Sequence, residues 1–180
     1  MMFPLRIMVK TIQYTLFKDD ESLWEIKKAS SLVQISNIAT LVQRKAMNAM
    51  VCVAKDILKR NPEQRVFKCD LGLIKRLCGL ANNDNKGLKE GLRALRNLNI
   101  EYNVLNKDKS KQRGIFSFLA YVEIKEDGKG KASEFTFEFP SIILDVVKKP
   151  NMYVTLSLLV IRGLNSKHSI ALYEFLKDYI

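Results

Sequence analysis

The sequence predicts an α+β fold, a helix-turn-helix followed by an antiparallel β-hairpin wing and flanked by additional helices. Three observations predict it. The elements run helix, strand, helix, tight turn, basic amphipathic helix, and then strand-like runs joined by polar turns. One run, Ala132 to Phe139, alternates strictly: Phe135, Phe137 and Phe139 fall on one face, Glu134, Thr136 and Glu138 on the other. The helix near the middle of the chain carries a leucine stripe and a separate cationic stripe, so one side seeks a core and another is left for solvent or a polyanion. Together these are the layout of a winged helix-turn-helix.

In chain order, residues 1–28 read as a leader or arm and 29–180 as the winged-helix domain. Within the leader, Thr11 to Phe17 has strand character and Lys18 to Ser22 reads as a charged turn. Ile26 to Ser36 leads into a long helix from Thr40 to Arg60. Met47, Met50, Ala54, Ile57 and Leu58 recur at threes and fours; Arg44, Asn48, Lys55 and Lys59 fall on the opposite face, which is expected to meet solvent. Thr40 suits the N-cap, and Asn61-Pro62 stops the helix. Met47 and Met50 read as core filler rather than as a cofactor box.

A strand is expected at Arg65 to Cys69, and Asp70 can cap a second helix, Leu71 to Leu80. Gly79 and the run Asn82-Asn83-Asp84-Asn85 make the turn into a third helix, Asn85 to Leu98. There Leu88, Leu92, Leu95 and Leu98 or Asn99 form the apolar stripe, while Lys86, Lys89, Arg93 and Arg96, spaced three, four and three, form the cationic one. Gly87 and Gly91 each cost about 1 kcal/mol against Ala inside a helix; they either permit close approach of a neighbouring helix or of DNA, or merely weaken the helix. Strands follow at Ile100 to Leu105, Gly114 to Lys125 and Ala132 to Phe139. The connections are Asn106 to Arg113, rich in Lys and Arg, and Glu126 to Lys131, with glycines for the turn. A short helix runs from Pro140-Ser141 to Lys149, an apolar run covers Tyr153 to Leu164, and a last helix is capped by Ser166.

Composition narrows the function. Apolar residues make up 47% of 180, enough for a globular core, and 30 Lys plus Arg against 19 Asp plus Glu leave a charge of +11. That excess points to a polyanionic partner. Cys52, Cys69 and Cys78 are odd in number and form no C-x-x-C pair, so they read as reduced, buried thiols of a cytoplasmic protein. The start of the chain is no signal peptide, and no run approaches the ~20 apolar residues of a membrane span, so no membrane partner is expected. The single histidine, His168, cannot pair with another to hold a metal, and Gly128 to Ser133 lacks the spacing of a phosphate loop. No enzyme activity, metal or cofactor is expected, and His168 reads as a helix-start surface residue.

In a winged helix-turn-helix the second helix of the pair enters the major groove and the wing touches the backbone. Asn83, Asn85 and Lys86, at the start of that helix, are placed to meet base edges; Lys89 lies in the same stripe, and Arg93 and Arg96 are placed to meet phosphates. The hairpin tip adds Lys107, Lys109, Lys111 and Arg113, offset by Asp108. Neither feature is specific. A basic stripe is also what any solvated helix face presents, and a lysine-rich tip is also what a soluble loop presents.

The chain resembles the replication (Rep) initiator proteins of iteron-type plasmids. Three segments carry the resemblance: Lys28 to Asn37 (KASSLVQISN), Phe67 to Asn99 with its helix-turn-helix pair, and Asn165 to Tyr179 (NSKHSIALYEFLKDY). The last is similar to the family's Ser…Leu-Tyr-Glu…Leu…Tyr signature: Ser166, Leu172, Tyr173, Glu174, Leu176 and Tyr179 fit, while His168 and Ser169 stand where Tyr and Ala are common. The resemblance spans about residues 28 to 180 and leaves the leader unexplained. It implies the first of two winged-helix domains, one that mediates homodimerisation and contributes contacts to double-stranded DNA, with a second domain expected after residue 180. It further implies that monomers bind direct repeats at an origin and recruit a host initiator and helicase, and that dimers bind an inverted-repeat operator.

Two other readings fit the same residues. A dimeric winged-helix transcriptional repressor would need no second domain, and a self-associating interaction module would bind no DNA. DNA cleavage is disfavoured by the lack of a ligand set.

Overall fold

The computed structural model describes residues 25–35, 39–80, 85–105, 111–126, 132–149 and 153–179. Strand β1 (Glu25–Ala29) and helix α1 (Ser30–Ile35) lead into α2 (Leu41–Arg60), around which the other elements gather. Thr40 caps α2 in a reciprocal box with Gln43. The Gln43 amide donates to Thr40 Oγ1 at 3.3 Å, and the Thr40 amide donates to Gln43 Oε1 at 2.7 Å, which satisfies two donors the helix start would otherwise leave open. At the far end the Asn61 amide donates to the Ile57 carbonyl, and Pro62 lacks the N–H needed to continue.

The chain continues through β2 (Val66–Asp70), α3 (Leu71–Cys78), α4 (Asn85–Asn97), β3 (Asn99–Leu105), β4 (Lys111–Ser117), β5 (Tyr121–Glu126), β6 (Ala132–Glu138), α5 (Ser141–Lys148), β7 (Tyr153–Ser157), α6 (Leu158–Gly163) and α7 (Lys167–Tyr179). The strands form three antiparallel sheets, ordered β1-β7, β2-β6-β5 and β3-β4. The core of the middle sheet is phenylalanine. Phe67 lies opposite Phe137 in the register, their rings 5.3 Å apart, and Phe139 meets Phe118 edge to face at 5.3 Å. Among the described residues no helix is long and apolar enough to cross a membrane.

Helix, strand, helix, helix and a β-hairpin pairing back onto the strand is a winged helix-turn-helix of the α+β class, with α1, α5, α6 and α7 added around it. Several details differ from the expectation. The run Gly114 to Lys125 is two strands, not one. Phe118 and Leu119 are both fully buried, and two adjacent inward side chains break the alternation a strand requires. As a result the hairpin that completes the sheet with β2 is β5–β6; the β3–β4 hairpin, expected to be the wing, is a separate two-stranded ribbon inserted ahead of it. The run Tyr153 to Leu164 divides into β7 and α6. Glu25 to Lys28, read as part of the leader, belong to β1 and pair with β7, Glu25 opposite Ser157 and Lys28 opposite Val154. The strand and turn expected at Thr11 to Ser22, and the turn residues Asn82 to Asp84, lie outside the described residues.

The largest correction concerns α2. Its supposed solvent face is buried at Arg44 and Asn48, which are 1% and 0% exposed. Glu174 of α7 accepts from Arg44 Nη1 at 2.7 Å, from Asn48 Nδ2 at 2.7 Å and from Lys28 Nζ at 3.0 Å, and is itself fully buried. Polar positions on α2 are interior because a carboxylate arrives from a helix 130 residues further on. Only Lys59 of the four polar positions is exposed, and Lys55 is half-buried.

Candidate nucleic-acid interface

The helix pair that would face DNA is shaped by short-range chemistry. Asp70 ends β2 and caps α3, its Oδ1 accepting from the Leu73 amide at 3.2 Å. Gly79 closes α3 in the left-handed conformation at φ 66°. There the Leu80 amide bonds the Lys75 carbonyl and the Gly79 amide bonds that of Arg76, the double closure that satisfies a helix's last acceptors. The chain is thereby turned toward α4.

Helix α4 is seated by Leu88, Leu92 and Leu95, all buried, and by Gly91. A Cβ at Gly91 would lie 3.0 Å from Val42 Cγ1 of α2, so of the two glycines flagged in the sequence this one marks a close helix approach. Seating that side turns the cationic stripe outward: Lys86, Arg93 and Arg96 are exposed and Lys89 is partly so. Lys86 to Arg96 covers about 15 Å of helix at 1.5 Å per residue.

The four cations are not equivalent. Arg96 Nη1 donates to Ser117 Oγ of β4 at 3.4 Å, and Ser117 Oγ donates onward to the Leu119 carbonyl at 3.1 Å. Lys89 pairs with Glu126 at the end of β5. Among the described residues Lys86 and Arg93 make no ion pair. The structure therefore brings Lys86, Lys89, Arg93 and Arg96 onto one face, with both hairpins tethered beside it. Asn85 opens α4 and Lys111 and Arg113 lie in β4, but their side chains are outside the described set, as are Lys107 and Lys109 entirely.

Sequence reading missed the two partners on the hairpins, Glu126 and Ser117, and the identity of the wing. The available signal was the Gly-bearing turn Glu126 to Lys131 placed directly before the most regular strand of the chain. The outward face of the β2-β6-β5 sheet has the opposite character. In register, Glu123, Glu134, Glu138 and Asp70 share it with Lys68 and Lys125, four carboxylates against two lysines, and Lys68 is spent on Glu134 at 3.1 Å. The basic excess is thus not carried by this face of the sheet, and part of it lies on the α4 side.

Helix α7 carries the Leu-Tyr-Glu signature on two faces. Inward, Tyr173 Oη accepts from the Ser157 amide at 2.9 Å, and Glu174 binds the Lys28–Arg44–Asn48 cluster. Burial holds the Lys28 ammonium below its usual pKa against the attraction of Glu174. Outward, Leu172, Phe175, Leu176 and Tyr179 are between 48% and 74% exposed. His168 is exposed at the helix start, its amide bonded to Ser166 Oγ at 3.2 Å. Cys52, Cys69 and Cys78 are buried free thiols, each pushed up to about 12 by burial.

Comparison with known proteins agrees with this fold. The crystal structure of domain 2 and domain 3 of RctB superposes with a TM-score of 0.51 at 11% identity, covering 80% of this chain and 56% of that one. The likeness is one of fold, and the chain spans little more than half of that relative. No match was found among curated proteins. The family model described as "Initiator Replication protein, WH1" matches residues 25–177, from the first residue of β1 to within three residues of the end of the chain, so this chain belongs to the initiator replication protein family as its WH1 domain.

Proposed function

We propose that this domain is a non-enzymatic DNA-binding module of a plasmid replication initiator, which lays α4 in the major groove of double-stranded DNA and flanks it with the two hairpins. The observation that carries this reading is the α4 stripe. Three of its four cations are exposed while its leucines are buried in a helix-turn-helix, and the other broad face, the sheet, is acidic. Each Lys or Arg laid on a phosphate releases condensed counterions, so affinity comes chiefly from Arg93 and Arg96, with Lys86 nearest the base edges at the helix start. Self-association, binding to origin direct repeats as monomer and to an operator inverted repeat as dimer, and recruitment of a host initiator and helicase belong to the same reading through family membership. The buried, reduced thiols suit a cytoplasmic site of action.

The test is the salt dependence of binding to an origin duplex, measured by fluorescence anisotropy. Arg93→Glu with Arg96→Glu removes two phosphate contacts and is expected to flatten the log–log slope by about 1.8, at about 0.9 per contact. A slope equal to that of the unaltered protein would refute the assigned face.

A further inference from the structure

Glu126 stands beside the cationic stripe and does not fit a surface built only to attract phosphate. It ends β5, at the turn end of the β5–β6 hairpin, and its carboxylate pairs with Lys89 of α4. The pair lines a cleft of about 240 Å³ between α4 and β5, together with Leu92, Arg93, Val122 and Ile124. The Lys89 and Glu126 side chains are 29% and 42% exposed, so both are within reach of an incoming phosphate. Their contact is the only ion pair that joins α4 to another element among the described residues.

We infer that Glu126 is an intramolecular competitor of the DNA backbone: it occupies Lys89 in the free protein and must be displaced before Lys89 meets a phosphate. The inference rests on the reading of α4 as the DNA-facing helix. Its physical basis is counterion accounting. A lysine already neutralised by a carboxylate has little condensed-ion release to gain. If phosphate replaces Glu126, the freed carboxylate takes up a cation and offsets the ion released from the DNA. Lys89 then contributes position without adding to the salt slope, and the domain's non-specific affinity is held down while the helix keeps four cations.

The two roles open to such a residue predict opposite signs. A carboxylate that merely positions α4 against the wing would weaken DNA binding when removed, whereas a competitor would strengthen it. The experiment measures binding of the 180-residue chain to a mixed-sequence duplex by anisotropy between about 50 and 200 mM salt, for the parent, Glu126→Gln, Lys89→Gln and the double variant. Glu126→Gln is expected to bind roughly two- to fivefold more tightly at the low-salt end, within the range an exposed ion pair spans. Its slope should steepen by about 0.9, so that the advantage shrinks about 3.5-fold over that salt range. The gain should vanish in the Lys89→Gln background.

Unchanged or weaker binding by Glu126→Gln at the low-salt end overturns the inference. So does a gain that survives Lys89→Gln, because it would reflect net charge alone. The α4 reading is checked in the same assay through Arg93→Glu with Arg96→Glu. If that variant loses affinity while Glu126→Gln gains none, the competitor role fails and the DNA face stands. If the parent shows no salt-dependent binding, both fail together. Thermal melts of each variant confirm that the fold is retained, as the exposure of both side chains leads one to expect.

Discussion

Replacing Glu174 by Ala removes a carboxylate that faces two buried cations. Lys28 Nζ lies 3.0 Å from it and Arg44 Nη1 2.7 Å, with the side chains 1%, 2% and 0% exposed for Lys28, Arg44 and Glu174 respectively. Asn48 Nδ2 donates to the same group at 2.7 Å. Lys28 has an escape: burial already holds its ammonium below the usual range, and Arg44 pushes in the same direction, so losing Glu174 moves it further toward the neutral amine. Arg44 has none, since a guanidinium does not deprotonate in proteins. Removing the carboxylate from a buried guanidinium, with the hydrogen bonds it accepts, corresponds to about 3–5 kcal/mol. Domains hold only about 5–15 kcal/mol in total, so the loss is a large fraction of the whole. At about 2–4 °C per kcal/mol for a chain of this size, the melting temperature should fall by roughly 6–20 °C, read by circular dichroism with urea titration as the second measure. The companion variant Lys28→Met, Arg44→Met, Glu174→Leu removes all three charges at once and should lose less than Glu174→Ala alone. A loss below about 1 kcal/mol for the single variant, or a triple variant less stable than the single one, would refute the reasoning.

Two further outcomes follow from the fold. Gly79→Ala places a Cβ 2.4 Å from Arg162 Cγ and 3.0 Å from the Arg162 carbonyl oxygen, at φ +66°; a loss of about 1–2 kcal/mol or more in urea unfolding is expected, and a neutral result would contradict the left-handed closure of α3. Cys52, Cys69 and Cys78 have their thiols raised from 9.0 to about 12, so above pH 9 the unfolded chain ionises first and the folded chain holds more protons. Stability contributed by these groups should therefore fall as pH rises from 9 toward 12, and a thiol reagent at pH 9 should label the three only in urea; rapid labelling of any one in the native protein would count against its burial.

Local signals were legible and long-range partners were not. The Thr40–Gln43 box, the Asp70 cap, the Gly79 closure and the leucine stripe of α4 each depend on residues within four or so positions of one another, and the sequence shows all of them. Arg44 and Asn48 look like a solvent face because nothing near them in sequence says that Glu174 will cover them. The pairing of β1 with β7 joins residues more than a hundred positions apart, and both strands are short, so neither announces its partner. The choice of wing had the same difficulty. Two hairpins of similar length carry lysines at their turns, and only the bonding of β6 to β2 decides which one closes the sheet. For the candidate site, the stripe was readable because it has helical period; the Glu126 and Ser117 contacts were not, since they join α4 to strands 37 and 21 residues away.

The signature on α7 separates into two kinds of residue once the structure is in view. Tyr173 and Glu174 are explained by folding alone: one holds the backbone where β7 passes into α6, and the other neutralises the interior of α2 and β1. Their loss would be felt wherever this fold is used, whatever it binds. Leu172, Leu176 and Tyr179 share the motif but are about half exposed or more, with Phe175 beside them and its ring 4.5 Å from that of Tyr179. The helix cannot roll to bury them, because Glu174 is held by three donors and Asp178, one turn further along the same face, accepts from Ser30 Oγ at 2.5 Å. Packing among the described residues therefore accounts for the Tyr-Glu half of the motif and not for the leucines. A match to the whole motif reports the fold through its inward half. Any functional information it carries lies in the outward half, on a surface distinct from the α4 stripe.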